Sequence, residues 1–142
     1  MKAILSLVLG LGLYGIAFAE DKKDPTAGKW VIESVVREGK TVDAYKGTVR
    51  TQADGKFTFT PPADSKIPPS TGTYAVDTTK TPATFDMKVK GGTFDGKTLI
   101  GIVKVEGDTM TMAFVEEGKT RPTKFESPAG SGIALTVYKK AK

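Results

Sequence analysis

With neither histidine nor cysteine in the chain, the side chains left for chemistry are carboxylates, lysines, arginines, tyrosines and hydroxyls. The lack of histidine removes the usual general base near neutral pH and the commonest metal ligand. The lack of cysteine removes a thiol nucleophile and a thiolate zinc site. A Ser-His-Asp triad cannot be assembled. The carboxylates fall mostly at turn signals (Asp54, Asp95, Asp108, Glu116, Glu117) or on charged strand faces (Glu33, Asp86), where solvation accounts for them. They lack the Asp-x-Asp-x-Asp spacing of a calcium loop, and no two stand out as a glycosidase-type pair. The expectation is a protein that is not an enzyme and uses no metal or cofactor.

Binding is then the chemistry to weigh. Met87, Met110 and Met112, with Phe57, Phe59, Phe85 and Phe114, make a soft, adaptable lining for a small apolar or amphipathic ligand. A filled core uses the same residues equally well. Arg121 is held beside Pro122, whose ring fixes the local backbone. It reads as a fixed cation at the mouth of an enclosed site, facing an anionic ligand group. Its alternative use is as a donor fork for strand-end carbonyls, or as a cover for Trp30. Gly28 and Trp30 read as structural: the glycine permits a tight entry and the indole plugs one end of the domain. A cation from the last strand over that indole contributes about 0.5–2 kcal/mol.

These residues need strands to place them. From Gly28 onward, short apolar-alternating runs are broken by Gly, Pro and Asp, with no sustained helical period. Trp30–Arg37 puts Trp30, Ile32, Ser34 and Val36 on one face. Thr41–Gln52 is a weaker, more polar strand, and Asp54-Gly55 is a hairpin signal. Phe57 and Phe59 share a face until Pro61-Pro62 stops the run. Phe85, Met87 and Val89 alternate with Asp86, Lys88 and Lys90, the cleanest period-two pattern in the chain. Thr98–Glu106 is apolar on both faces through Ile100 and Ile102, so it is either covered on both sides or carries a surface patch. Met110, Met112 and Phe114 share a face, Thr120–Ser127 is a further candidate, and Ile133–Tyr138 closes the series. About eight antiparallel strands joined by short hairpins escape exposed edges most simply as an up-and-down barrel, with a two-sheet sandwich as the alternative.

Two features lie outside that pattern. Lys2, the uncharged run Ala3–Phe18 and the small-x-small site Ala17-Phe18-Ala19 read as a signal peptide over residues 1–19. That implies an exported chain, periplasmic or secreted, with a flexible leader over 20–27 and one domain over 28–142. The apolar run is short for a spanning helix, so no membrane span is expected after cleavage. Basic residues number 21 against 16 acidic ones, and all but Arg37, Arg50 and Arg121 are scattered lysines. Such a surplus suits solubility and lacks the basic stripe that nucleic acid requires.

Gly28-Lys29-Trp30 is similar to the Gly-x-Trp signature at the start of lipocalin barrels. Together with Gly72-Thr73-Tyr74, Gly101-Ile102 and Arg121-Pro122-Thr123-Lys124-Phe125-Glu126-Ser127, it resembles an exported lipocalin-like domain abundant in planctomycete-type bacteria. The resemblance spans about Gly28 to Lys140. Lys139 and Lys140 stand where that family commonly has a terminal Arg. What the resemblance implies is a lipocalin-like fold and an exported location, with no activity attached. Two uses fit such a barrel: a ligand-binding module, or a structural or protein-interaction module of the bacterial envelope whose interior is plugged by side chains. A cavity above about 300 Å³ favours the first. A packed interior beside an exposed apolar patch favours the second.

Overall fold

The alternation over Thr84–Lys90 is the clearest local instruction in the chain, and a computed structural model, describing residues 24–142, follows it. In β6 (Ala83–Lys90), Phe85, Met87 and Val89 are buried while Lys88 and Lys90 are exposed. The same in-and-out rule builds β4 (Lys56–Thr60), β5 (Ser70–Asp77), β7 (Thr98–Glu106), β8 (Thr109–Glu116) and β9 (Ala134–Lys140). Ahead of them come β1 (Gly28–Arg37), the two-residue β2 (Lys40–Thr41) and β3 (Val49–Ala53). Chain neighbours pair antiparallel from β3 to β9, β3 pairs with β1, and β9 returns to β1 from Trp30↔Lys140 to Arg37↔Ala134. Eight strands therefore close an all-β, up-and-down barrel of lipocalin-like form, with β2 a short appendage on the end of β1. No helix among the described residues is long and apolar enough to cross a membrane.

Three local expectations are corrected. The register between β1 and β9 shifts between Ile32 and Ser34, which inserts an extra residue into the inward and outward count. Trp30 and Ile32 point inward as expected, but beyond the bulge Val35 is buried in place of Ser34 and Val36. Within Thr41–Gln52 only Val49–Ala53 forms a barrel strand. The chain before it turns through Asp43–Tyr45, and the Tyr45 carbonyl accepts from both the N–H and the hydroxyl of Thr48. Thr120–Ser127 is not a strand; it belongs to a long connection, residues 117–133, that crosses the outside of the barrel.

That connection explains the two apolar faces of β7. Ile102, Ala113 and Val115 are buried, yet they stand apart from the central core cluster, on the outward face. Arg121 ties the connection to β6 and β7, bonding Asp86 Oδ1 at 2.6 Å and the Gly101 carbonyl at 2.8 Å. Phe125 lies under Lys104 Nζ at 4.8 Å. Ser127 Oγ accepts from the Glu38 N–H and donates to the Ile133 carbonyl, both at 2.6 Å. The Arg-Pro-Thr-Lys-Phe-Glu-Ser segment is thus a strap over an outer apolar seam.

The end of the barrel where β1 begins is closed. Trp30 is buried, its Nε1 donates to the Thr26 carbonyl at 3.0 Å, and Lys140 Nζ sits over its ring at 4.7 Å. Gly28 (φ +131) is the residue that lets the lysine pass, since a Cβ there would come within 2.9 Å of Lys140 Nζ. The signal peptide expected over 1–19 lies outside the described residues, as do residues 20–23. From Asp24 the expected flexible leader is instead part of the floor. Thr26 is fully buried, and its N–H and hydroxyl donate to Asp24 Oδ1 at 2.8 and 2.5 Å.

Candidate ligand cavity

Opposite this floor the interior opens. The end of β1 and the β2–β3, β4–β5 and β6–β7 connections form a rim from Arg37, Tyr45, Ile67, Pro68, Thr93 and Phe94. Arg37 lies over the Phe94 ring at 5.7 Å, and Phe94 meets Phe114 edge-on at 6.5 Å. Below the rim a cavity of about 60 Å³ runs inward between Phe59, Val89, Leu99 and Phe114 to Phe57 and Met87. It holds a few waters at most, against roughly 150 Å³ for an apolar void that accepts benzene. It also falls short of the ~300 Å³ typical of open ligand pockets. Side chains fill most of the barrel.

Arg50 forms the deepest polar point of this cavity. It occupies an inward position of β3 between Trp30 on β1 and Phe59 on β4, and is 1% exposed. Taking a guanidinium out of water costs several kcal/mol after relaxation. Two things offset part of that cost. Its face lies 4.3 Å from the Phe57 ring centre, with Phe85 at 5.5 Å, and such contacts contribute up to about 2 kcal/mol each when desolvated. Its Nε–H donates to Gln52 Oε1. Gln52 Nε2 in turn donates to Thr26 Oγ1 at 2.5 Å, and Thr26 Oγ1 donates to Asp24. Every donor in this chain points the same way, from the cation to the Asp24 carboxylate, so each bond polarises the next.

Elsewhere the guanidinium meets only neutral acceptors among the described residues, the Tyr138 hydroxyl being one of them. Nη2 reaches Met87 Sδ at 3.5 Å, a weak acceptor. The ion pairs among the described residues are Lys97–Glu116, Lys104–Glu106 and Arg121–Asp86, none of which involves Arg50. Burial lowers the pKa of Arg50, while the nearby phenols of Tyr138 and Tyr74 draw it back up. A guanidinium has enough headroom to stay charged at neutral pH regardless. Tyr138, fully inside, is raised by burial and lowered in part by Arg50. Tyr74 is raised by burial first, then by the bond its hydroxyl donates to Asp24 Oδ2.

Of the residues expected to line a site, Phe57, Phe59, Met87 and Phe114 do so. Phe85, Met110 and Met112 are packed in the core beside the cavity and not on its wall, Phe85 stacked on Tyr74 at 5.5 Å. Arg121 is outside the barrel, held by the strap's own contacts, and cannot face a ligand within it. Its outward position follows from its partners: Asp86 is on the outer face of β6, and the Gly101 carbonyl is reached from that side. Gly28 and Trp30 lie at the closed end of the barrel, against Lys140 and Thr26. Sequence patterning alone does not mark Arg50, Gln52, Thr136 or Tyr138. The available signal was Arg50-Thr51-Gln52, two polar residues at the alternate positions that pair with Phe59 and Phe57. No protein-family model matches the chain, and no curated protein matches it.

Proposed function

We propose that the barrel is a non-enzymatic binding module of an exported lipocalin-like protein, taking the apolar part of a small amphipathic molecule into the cavity beneath Phe94. The observation that carries this reading is an apolar funnel, open at one end, with a buried guanidinium at its base. Pockets of that composition bind by apolar area and orient by a few polar groups. The polar groups bordering the cavity are the guanidiniums of Arg50 and, at the rim, Arg37, with phenols and hydroxyls and neither a carboxylate nor a lysine among them, so the cavity offers recognition but no ready general base.

The cavity's small volume favours a second reading, in which the barrel is a structural or interaction module with its interior plugged. Native mass spectrometry of the protein purified from the cells that make it separates the two. The binding reading expects a co-purifying small molecule. A clean apo mass, with amide resonances of Phe57, Phe59 and Phe114 unmoved by decanol, contradicts it and favours the plugged barrel.

A further inference from the structure

We infer that the molecule is a monocarboxylic acid whose carboxylate pairs with the Nη edge of Arg50 and whose hydrocarbon tail runs past Phe59 and Leu99 toward the rim. This rests on the binding reading above. A guanidinium offers five N–H donors in a planar fork. Here Nε is committed to Gln52, and the relay through Thr26 to Asp24 fixes the plane from the floor side. One face of that plane lies against Phe57. What remains is the in-plane Nη edge, whose partners among the described residues are two neutral acceptors, Met87 Sδ and the Tyr138 hydroxyl, and which lies where Arg50 borders the cavity. An in-plane pair of N–H groups matches the two oxygens of a carboxylate. The Asp24 relay spreads part of the charge but supplies no anion at that edge, so the site is completed by an anion from outside.

Charge and size choose among anions. One cation in a low-dielectric interior balances one negative charge, and a dianionic phosphate monoester would leave a second charge buried without a partner. Thr136 and Tyr138 also border the cavity and bring hydroxyl donors for a carboxylate's remaining lone pairs. The apolar residues between Arg50 and the rim match a tail with no polar groups, and because the cavity is about 60 Å³, its entry requires Phe59, Phe94 and Phe114 to move aside. Among the described residues, Trp30, Gln52 and Thr26 close the other end, so entry is from the rim.

Decanoate, methyl decanoate, decanol and decyl phosphate, titrated into isotopically labelled protein and followed by amide shifts of Phe57, Met87 and Tyr138, test this directly. Decanoate is expected to bind at least about tenfold more tightly than decanol or the ester, as a hydrogen bond to a charged group implies. Arg50→Met is expected to erase that preference while decanol still binds. If that variant does not fold, the wild-type comparison of acid with ester decides alone. Equal affinity for decanoate and decanol overturns the acid while leaving a binding cavity. Tighter binding of decyl phosphate overturns the choice of carboxylate. No shift with any of the four removes the binding reading itself.

Discussion

Arg50 asks the fold to bury a cation that an apolar residue would not bring. Replacing buried charges with well-packed apolar side chains of similar volume is often neutral or stabilising by about 1–4 kcal/mol. Arg50→Met removes a buried charge but leaves Gln52 Oε1 without its donor, so the two effects offset and the unfolding free energy is expected to stay within about 1 kcal/mol of wild type, whereas Gln52→Leu, which strands Arg50 Nε, is expected to lower it by about 1–3 kcal/mol in urea titrations. A loss of several kcal/mol in Arg50→Met would make the arginine a stabilising element and not a recognition group. The phenols give a second test. Tyr74 and Tyr138 are both raised, so the native state keeps protons that the unfolded chain releases near pH 10. The stability they contribute is whole below about pH 10 and declines as the pH climbs toward their folded-state values. Tyr138→Phe is expected to flatten that alkaline decline in thermal melts run from pH 8 to 11. At this level the sequence was least legible: Arg121 bonds the Gly101 carbonyl, the structural use given as its alternative, while Arg50 sits in a polar run whose inward positions are fixed only by pairing with Phe57 and Phe59 on β4.

Strands and turns were far more legible, because period-two patterning and Gly-containing turns act locally. Asp54-Gly55 and Gly107-Asp108 sit between paired strands as read, joining β3 to β4 and β7 to β8. The bulge in β1 was not readable, since it answers to the register of β9, about 100 residues away. The strap was half-readable: two apolar faces on β7 required a cover, but its identity depended on tertiary contacts of Arg121 and Ser127. Gly101 shows how tightly β7 and β8 approach. A Cβ there would lie 2.1 Å from the Ala113 carbonyl oxygen and 2.8 Å from Phe114 Cβ. Gly101→Ala is expected to cost about 3 kcal/mol or more, the upper end for overpacking, because backbone cannot yield as a flexible side chain can. Arg121→Ala removes a partly exposed ion pair and one carbonyl contact. It is expected to cost about 1 kcal/mol or less and to leave decanoate affinity unchanged, measured by the same titration. A weakened affinity would return Arg121 to the binding site.

At the scale of the whole domain, the described residues form a barrel with unlike ends. The floor is sealed by Trp30, Lys140 and the Asp24–Thr26 turn, and the polar chain that starts there ends on Arg50. The other end is apolar and open, rimmed by Arg37 and Phe94. Closure into a barrel could be anticipated from the count of hairpins alone, but which end is sealed could not, because the floor is assembled from residues at the two termini of the domain. A buried cation tied to the floor by Gln52, and met on its other side by the neutral Met87 and Tyr138, is what this asymmetry produces. The most direct test is a crystal structure of the protein grown with decanoate. A carboxylate oxygen about 2.7–2.9 Å from Arg50 Nη, with the tail leading to Phe94, is the expected result. Arg50 paired instead with a carboxylate of the protein itself, with the barrel interior free of decanoate, would contradict it.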